Sequence, residues 1–385
     1  RRVGGGGAEL IRRSFNGNAL YTAVFKEYIY SMLRRNTPME YFIEGGRSRT
    51  GLLLAPKKGM LAMTIQSYLR GGSKPIVFIP TYFGYEKLME GSSYIKELGG
   101  QKKQAESLFG LLKSIQKIEK IFGVVHVNLG EPVFLNDLLE KNHVPKQVAV
   151  HEELPDSVKA TVNDVATDIL ENINKAVVIN PISLISLVLL NAPTHALAER
   201  EVMLRLEQFR NLLKLHRYDE RMKMTELSNQ EIIQYAMKLK QVELIEHDNE
   251  RWVKVSDLQV GLLKYFSNNI LHTFILPALI AKVLKLQTEQ ENYVIAQTDL
   301  FNQVIVLYPE IQKTFFLKWA ESNVQAEIEN ILKFFIDEKL INIDENQQVN
   351  IANADPKIRL LSALAHLYDV NVMKNDEPDE VKTKE

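Results

Sequence analysis

The chain has 385 residues, of which 45% are hydrophobic and 25% charged, and its formal net charge is −1. These values are typical of a folded protein with two or three domains, and the near-zero charge argues against broad, nonspecific binding of nucleic acid. The chain contains no cysteine, which excludes disulfides, thiol catalysis and cysteine-ligated zinc. It begins with Arg1 rather than methionine, so we expect a truncated or processed start.

Up to about residue 135 the apolar residues alternate between helix and strand periods. The predicted elements are, in order, a helix 18–35, a buried strand 39–44, a helix 58–70, a buried strand 75–82, a helix 102–120 and a strand 123–128. Asn18 is a plausible N-cap for the first helix, whose Leu20, Val24, Tyr28 and Met32 recur on one face. Strands that alternate with helices predict an α/β core.

Beyond about residue 155 the pattern becomes helical. Helices are expected over 157–176, 181–190, 199–215 and 229–240. Two segments, 228–255 and 323–351, each indicate a helix followed by a β-hairpin, the outline of a winged-helix unit. Their hairpins are acidic and the preceding helices are not strongly basic, which favours a packing module over a DNA reader. We predict an α/β core over 1–155, a mainly helical region over 156–374 and a disordered charged tail over 375–385.

No apolar segment is a good candidate to span a membrane. The run 176–192 is interrupted by Asn180, a proline and two serines, and the run 271–284 is short and contains His272 and Pro277. A bilayer core needs about 20 mainly apolar residues. Both runs are therefore predicted to be buried core helices, with association at a membrane surface as the alternative.

A loop rich in glycine and arginine follows the predicted strand 39–44. Residues 44–51 read Glu-Gly-Gly-Arg-Ser-Arg-Thr-Gly. The glycines let backbone N–H groups approach a ligand, the two arginines offer fork-shaped donors suited to phosphate, and the serine and threonine offer hydroxyls. The loop lacks the Gly-Lys-Ser/Thr of a Walker motif. The pattern predicts a phosphate-binding turn at the carboxyl end of a strand, with an exposed basic loop as the alternative.

The eight histidines include no obvious general base and no metal-type cluster. His151 and Asp156 form a His-x4-Asp pattern, in which the carboxylate could orient the imidazole. Pro155 and the polar residues around it indicate a surface linker instead. His126 lies in a predicted strand and is interpreted as structural.

Short motifs follow one another along the chain at residues 7–13, 44–51, 79–86, 130–132, 265–270 and 276–277. Taken together, these motifs resemble those of the glycerolipid acyltransferases, in particular the large bacterial membrane-bound glycerol-3-phosphate 1-O-acyltransferases. They fall in the order of that family's second, third and fourth motifs, a further Gly-Glu-Pro element and the helical C-terminal region. The resemblance implies a glycerolipid-acyltransferase-like α/β core followed by the helical region with its winged-helix-like units.

The resemblance also implies a reaction. An acyl group would pass from acyl-CoA or acyl-carrier protein to the sn-1 hydroxyl of glycerol 3-phosphate, the first step of phospholipid synthesis. It implies a place at the cytoplasmic face of a bacterial inner membrane, contact with the phospholipid surface, no cofactor beyond the acyl donor and no nucleic-acid partner. The lysine-rich helix 102–120 could dock an acidic acyl-carrier protein, with a solvated face as the alternative.

The same resemblance assigns roles to the arginines. Arg12 or Arg13, together with Arg47 and Ser48, would bind the phosphate of the acceptor. This agrees with the phosphate-binding turn predicted from residue chemistry alone. The alternative to an enzyme is a winged-helix-type binding or scaffold protein.

The remaining roles come with two departures from the family pattern. Glu44, next to Gly45, would orient the glycerol or hold an arginine, and Pro80 would shape the acyl-donor side. The catalytic His-x4-Asp motif is expected upstream of Arg1, so no catalytic residue is predicted in this chain and we expect it not to turn over alone. Glu9-Leu10 stands where two phenylalanines are expected, and a carboxylate there should weaken anion binding.

Overall fold

A computed structural model of the chain describes residues 18–46, 48–71, 74–88, 123–145, 154–192, 194–289, 294–351 and 357–371. The chain divides into two compact units, each discontinuous in sequence. The first comprises Arg1–Arg47, Ala55–Phe78 and Pro132–Ile169, and the second comprises Ser48–Leu54, Ile79–Glu131 and Leu170–Glu385. These units are defined by contacts rather than by independent folding, so the domain boundary at residue 155 stays a prediction.

Helices dominate the described residues and the strands are short. The helices are α1 (Ala19–Arg34), α2 (Gly59–Leu69), α3 (Leu135–Lys141), α4 (Asp156–Lys175), α5 (Pro181–Leu190), α6 (Glu199–Leu215), α7 (Asn229–Lys238), α8 (Asp257–Asn268), α9 (Ile275–Glu289), α10 (Gln297–Phe315), α11 (Val324–Asp337) and α12 (Lys357–Asn371). The strands are β1 (Val77–Phe78), β2 (Thr81–Tyr85), β3 (Val125–Leu129), β4 (Val133–Phe134), β5 (Val178–Ile179), β6 (Ala196–Ala198), β7 (Lys223–Met224), β8 (Glu243–His247), β9 (Glu250–Lys254), β10 (Val294–Ala296), β11 (Ile341–Ile343) and β12 (Gln348–Ile351). The helix 102–120 and the tail 375–385 lie outside the described residues.

In the first unit, α1 begins where the sequence predicts it. The side-chain oxygen of Asn18 accepts a hydrogen bond of 2.9 Å from the first turn, as an N-cap does. The predicted apolar face is wrong: Leu20 and Val24 are 77% and 59% exposed, whereas Phe25 and Ile29 are buried. Apolar residues cover more than one face of this helix, so their spacing alone could not select the side that faces the core.

The strand predicted over 39–44 does not form. Residues 39–42 have no regular structure and 43–46 form turns. The Gly45 N–H donates to the Phe42 carbonyl (3.0 Å), and the Lys57 N–H donates to the Ile43 carbonyl (2.8 Å). These bonds close a turn rather than a ladder, because a run of β-forming residues becomes a strand only when a neighbouring strand pairs with it. The predicted placement of the loop at a strand's carboxyl end is therefore wrong.

The strand predicted over 75–82 is two strands, β1 and β2, separated at Pro80. Proline has no N–H to donate to a ladder, which is why the strand breaks there. In the first unit β1 pairs with β4, and in the second β2 pairs with β3, both antiparallel. The strand predicted over 123–128 is confirmed as β3.

In the second unit, the two apolar runs form the centre of the core, as predicted. Residues 181–189 of α5 are all buried, and α5 packs against α8. Most of 271–284, which includes a 3-10 helix (Leu271–Thr273) and the start of α9, is also buried. No helix among the described residues is long and apolar enough to cross a bilayer.

Two segments of the second unit share one order of elements. Each has a short strand, two helices and a β-hairpin: β6, α6, α7, β8 and β9 in one, and β10, α10, α11, β11 and β12 in the other. In the first segment the two-residue strand β7 also lies between the helices. In both, the second strand of the hairpin lies in the centre of a three-stranded sheet and pairs with the lone strand. The predicted helix–hairpin order is thus present twice. The lone strand of each segment and the helix α10 were not predicted, whereas α6 matches the helix predicted over 199–215.

Candidate functional site

The structure places the predicted site residues in different units. Glu44 and Gly45 belong to the first unit, whereas Ser48 and Pro80 belong to the second. Three predicted phosphate ligands lie outside the described residues: Arg12, Arg13 and Arg47. The convergence of two arginine-bearing segments on one phosphate therefore stays a prediction. The His-x4-Asp pattern is not described as a whole either, because residue 151 lies outside and Asp156 begins α4.

In the first unit, the turn after Glu44 lies against Lys57. Gly45 has φ +62°, in the left-handed region that favours glycine, and a Cβ built there would lie 2.9 Å from Cδ of Lys57. The aliphatic part of Lys57 therefore covers the turn, and its exposed side chain adds a cation to this motif. Sequence reasoning missed this residue. Its only signal was the basic pair before α2, whose other member, Lys58, donates to Asn163 Oδ1 (2.6 Å).

In the second unit, residues 48–52 form what we call the hydroxyl turn. The Gly51 N–H donates to Ser48 Oγ (2.9 Å), and the Leu52 N–H donates to Thr50 Oγ1 (3.3 Å). Both backbone donors are thus satisfied inside the turn, contrary to the expectation that they approach a ligand. The N–H groups of Gly51 and Leu52 are therefore not available to a bound anion. Ser48 Oγ accepts the bond from Gly51 and also lies 3.5 Å from Thr50 Oγ1, where either hydroxyl can be the donor. One of these two hydroxyl protons can therefore still be donated to an anion.

The hydroxyl turn is held by the C-terminal end of α8, which belongs to the same unit. Asn268 Nδ2 donates to the Thr50 carbonyl (2.8 Å). Gly51 has φ +86°, and a Cβ there would lie 2.8 Å from the carbonyl carbon of Tyr265 and closer still to its oxygen. The backbone of the turn therefore lies directly on the backbone of the helix. Only glycine allows this approach.

A second close approach fixes Pro80, the predicted donor-side residue. The Gly130 N–H donates to the Pro80 carbonyl (2.7 Å). A Cβ at Gly130 would lie 2.5 Å from the carbonyl oxygen of Asn172, near the end of α4. Asn172 Nδ2 in turn donates to the Glu131 carbonyl (3.0 Å). The Gly-Glu element of the sequence is thus a packed corner that sets the position of Pro80.

Glu86, which ends the fourth-motif segment, is the centre of a buried hydrogen-bond network. Its side chain is 3% exposed and accepts bonds from Tyr235 Oη (2.5 Å), the Val124 N–H (2.7 Å) and His126 Nε2 (2.9 Å). Burial raises the pKa of Glu86, but the three bonds and the attraction of His126 outweigh it and hold that pKa below its ordinary value. The network joins β2 and β3 to α7. His126 is thus structural, as predicted.

Replacing Glu86 by glutamine should destabilise the second unit by about 2–3 kcal/mol at pH 7, because hydrogen bonds to a charged acceptor contribute more than neutral ones. Urea unfolding measures this loss. Since the pKa of Glu86 is lowered on folding, its contribution is present above its ordinary pKa and is lost as the pH falls through the lowered value. The difference in unfolding free energy between the wild-type chain and Glu86→Gln should therefore shrink below about pH 4.

Glu131→Gln, at a half-exposed carboxylate, is the control. An equal change in both variants would contradict a special role for Glu86.

The described residues contain no group of three or more His, Asp or Glu side chains that could hold a metal ion. The absence of any cofactor beyond the acyl donor stays a prediction.

Comparison with known proteins agrees with the motif order. The family model "Glycerol-3-phosphate acyltransferase C-terminal region" matches residues 94–368, and the model "Acyltransferase" matches residues 6–84. Curated relatives with the name glycerol-3-phosphate acyltransferase include one from Xanthomonas campestris pv. campestris, which is 42% identical over 342 residues. One from Pseudomonas aeruginosa (strain LESB58) is 37% identical over 366 residues, and one from Xylella fastidiosa (strain M23) is 36% identical over 368 residues.

The matches cover most of this chain but less than half of each relative. The aligned region is 87% of this chain and 38% of the Xanthomonas protein, and 94% of this chain and 43% of the Pseudomonas protein. For the Xylella protein the shares are 94% and 42%. The chain thus spans about two fifths of the length of these relatives.

Proposed function

Because this chain belongs to the glycerol-3-phosphate acyltransferase family, we propose that it takes part in acyl transfer from acyl-CoA or acyl-carrier protein to the sn-1 hydroxyl of glycerol 3-phosphate. The observation that carries the proposal is 42% identity to a relative of that name over 87% of the chain. The alternative of a non-enzymatic binding or scaffold protein is not favoured, because both matching family models describe acyltransferases.

The acceptor's phosphate would be bound by side chains of two segments. Arg12 or Arg13 and Arg47 supply guanidinium groups, which match the geometry of phosphate oxygens. Ser48 supplies a hydroxyl proton, which its bond from Gly51 leaves available. A role for side chains is supported by the hydroxyl turn, in which the N–H groups of Gly51 and Leu52 are used internally.

Other residues would contact the rest of the substrates. Glu44 would orient the glycerol hydroxyls or hold an arginine, with the turn at Gly45 setting its direction. Lys57, which lies against that turn, adds positive charge for an anionic acceptor. Pro80 would shape the side of the site that receives the acyl donor.

Replacing Arg47 by alanine should weaken the binding of glycerol 3-phosphate about tenfold to a hundredfold, the worth of a hydrogen bond between charged groups. Calorimetry on the 385-residue chain measures this. The matched control is Arg200→Ala, which removes the same charge from a side chain that is 84% exposed on α6. Plain glycerol should bind far more weakly than its phosphate ester. Equal affinities for the wild-type and Arg47→Ala chains would refute the assignment of the phosphate ligands.

We further propose that the protein acts at the phospholipid surface on the cytoplasmic face of a bacterial inner membrane, without a cofactor. The β2–β3 pair supports contact with lipid or acyl chains. Phe83 and Val127 are paired, as are Tyr85 and Val125, so these residues share one face of the pair. They are between 37% and 56% exposed. Monomeric proteins rarely leave such a group of apolar side chains uncovered.

The two strand–helix–helix–hairpin segments are proposed to be winged-helix-like packing modules. Their sheets pack apolar side chains such as Val253 and Val349, both fully buried, into the core of the second unit. The tips of both hairpins are acidic, at Asp248 and Glu345. An acidic hairpin would repel a phosphate backbone, which supports packing rather than nucleic-acid binding.

A further inference from the structure

The end of α8 contacts the hydroxyl turn through a side chain that carries no reactive chemistry. Asn268 is only 4% exposed, and its Nδ2 donates to the Thr50 carbonyl at 2.8 Å. The two residues are 218 positions apart in the sequence. A buried amide that bonds to the backbone of a distant turn fixes the position of that turn relative to the helix.

The contact prevents the turn from shifting toward α8. A Cβ at Gly51 would overlap the Tyr265 carbonyl and would lie 2.9 Å from Nδ2 of Asn269. Asn269 Nδ2 itself donates to the Tyr265 carbonyl (2.5 Å), which keeps that amide beside Gly51. The Tyr265 carbonyl and the Asn269 amide therefore lie against the same side of the turn at Gly51. The turn cannot shift toward α8 unless the end of that helix moves.

The end of α8 is itself part of the core. Phe266 and Ile270, on either side of the contact, are 1% and 0% exposed, and Ser267 is buried. The helix packs along α5, whose residues 181–189 are all buried. The hydroxyl turn thus packs against a part of the second unit whose residues are almost fully buried.

We propose that Asn268 is a positioning residue for the acceptor site. It holds the turn that presents Ser48 and that directly follows Arg47 in the chain. Asn268 therefore sets the affinity for the phosphorylated acceptor without touching the acceptor. The inference rests on the proposed function. Without the bond, the turn samples several conformations, and ordering it again on binding opposes association.

The test compares Asn268→Leu, which keeps the number and branching of the side-chain heavy atoms but removes the donor, with the wild-type 385-residue chain. Glycerol 3-phosphate should bind about fivefold to tenfold more weakly to the variant, the loss expected for one neutral hydrogen bond plus added flexibility. Hydrogen–deuterium exchange should speed up at the Gly51 and Leu52 amides, which are hydrogen-bonded inside the turn. Ser267→Ala is the matched control, because this neighbour is equally buried but makes no side-chain bond to the turn in the described part of the chain.

Each outcome separates this inference from the functional proposal. If the wild-type chain does not bind glycerol 3-phosphate, the proposed function fails, and exchange confined to residues 48–52 in Asn268→Leu still supports the positioning role. Unchanged affinity and unchanged exchange in Asn268→Leu would overturn the inference. Loss of cooperative unfolding in both Asn268→Leu and Asn268→Ala would also overturn it, since Asn268 would then hold the core rather than the turn.

Discussion

Replacing Gly51 by alanine should displace the hydroxyl turn from the end of α8 and abolish the binding of glycerol 3-phosphate. The added Cβ would lie 2.8 Å from the carbonyl carbon of Tyr265, so the backbone of the turn or of α8 must move. The φ of +86° adds the cost of a left-handed conformation, about 1–2 kcal/mol, to an overpacking cost of about 1–3 kcal/mol. We expect the second unit to lose roughly 3 kcal/mol of stability, measured by urea unfolding.

Gly46→Ala is the matched control for this prediction. It lies in the same motif, but a Cβ there would have no atom of the described residues within 4 Å, apart from its neighbours in the chain. This variant should unfold at the urea concentration of the wild-type chain. If Gly51→Ala shared that midpoint and retained its affinity for glycerol 3-phosphate, then the close approach to α8 would have no role in the site.

The helices were predictable because their signals are local. The apolar run of α5 and the Asn18 cap of α1 each lie within a few residues of the element they define. Strands depend on partners elsewhere in the chain, which is why the apolar, β-forming run 39–44 was misjudged. The break at Pro80 was readable in principle from the missing N–H of proline.

The sequence predicts the chemistry of the candidate site but does not reveal the contacts that hold it in place. It marks Ser48 and Thr50 as candidate hydroxyl donors, whereas their use in closing the turn is visible only in the structure. The bond from Asn268 crosses 218 positions of sequence. Family resemblance marked the segment 265–270 without indicating what it contacts. Similarly, nothing near Glu86 in the sequence pointed to Tyr235.

The stability of the second unit should fall as the pH drops from 7 to 5 because of His272. This imidazole is 5% exposed, its Nε2 lies 3.2 Å from the Asn174 carbonyl, and the Tyr218 ring meets it edge to face. Burial lowers the pKa of His272 to about 4, although the bond to Asn174 acts in the opposite direction. In the unfolded chain the pKa is near 6.5.

Between those two pKa values the unfolded chain binds a proton that the folded chain does not. The contribution of His272 is therefore complete above about pH 6.5 and is lost as the pH falls toward 4, by about 3 kcal/mol in all. Urea unfolding at pH 7.5, 6 and 5 measures the slope of the unfolding free energy against pH.

His272→Gln, whose amide can still donate to Asn174 but does not titrate, should remove most of this slope, even if the variant is less stable at every pH. His247→Gln, at a side chain that is 67% exposed, should leave the slope unchanged. A wild-type slope in His272→Gln would mean that another group titrates in this range, since the contribution of Glu86 is lost only at lower pH.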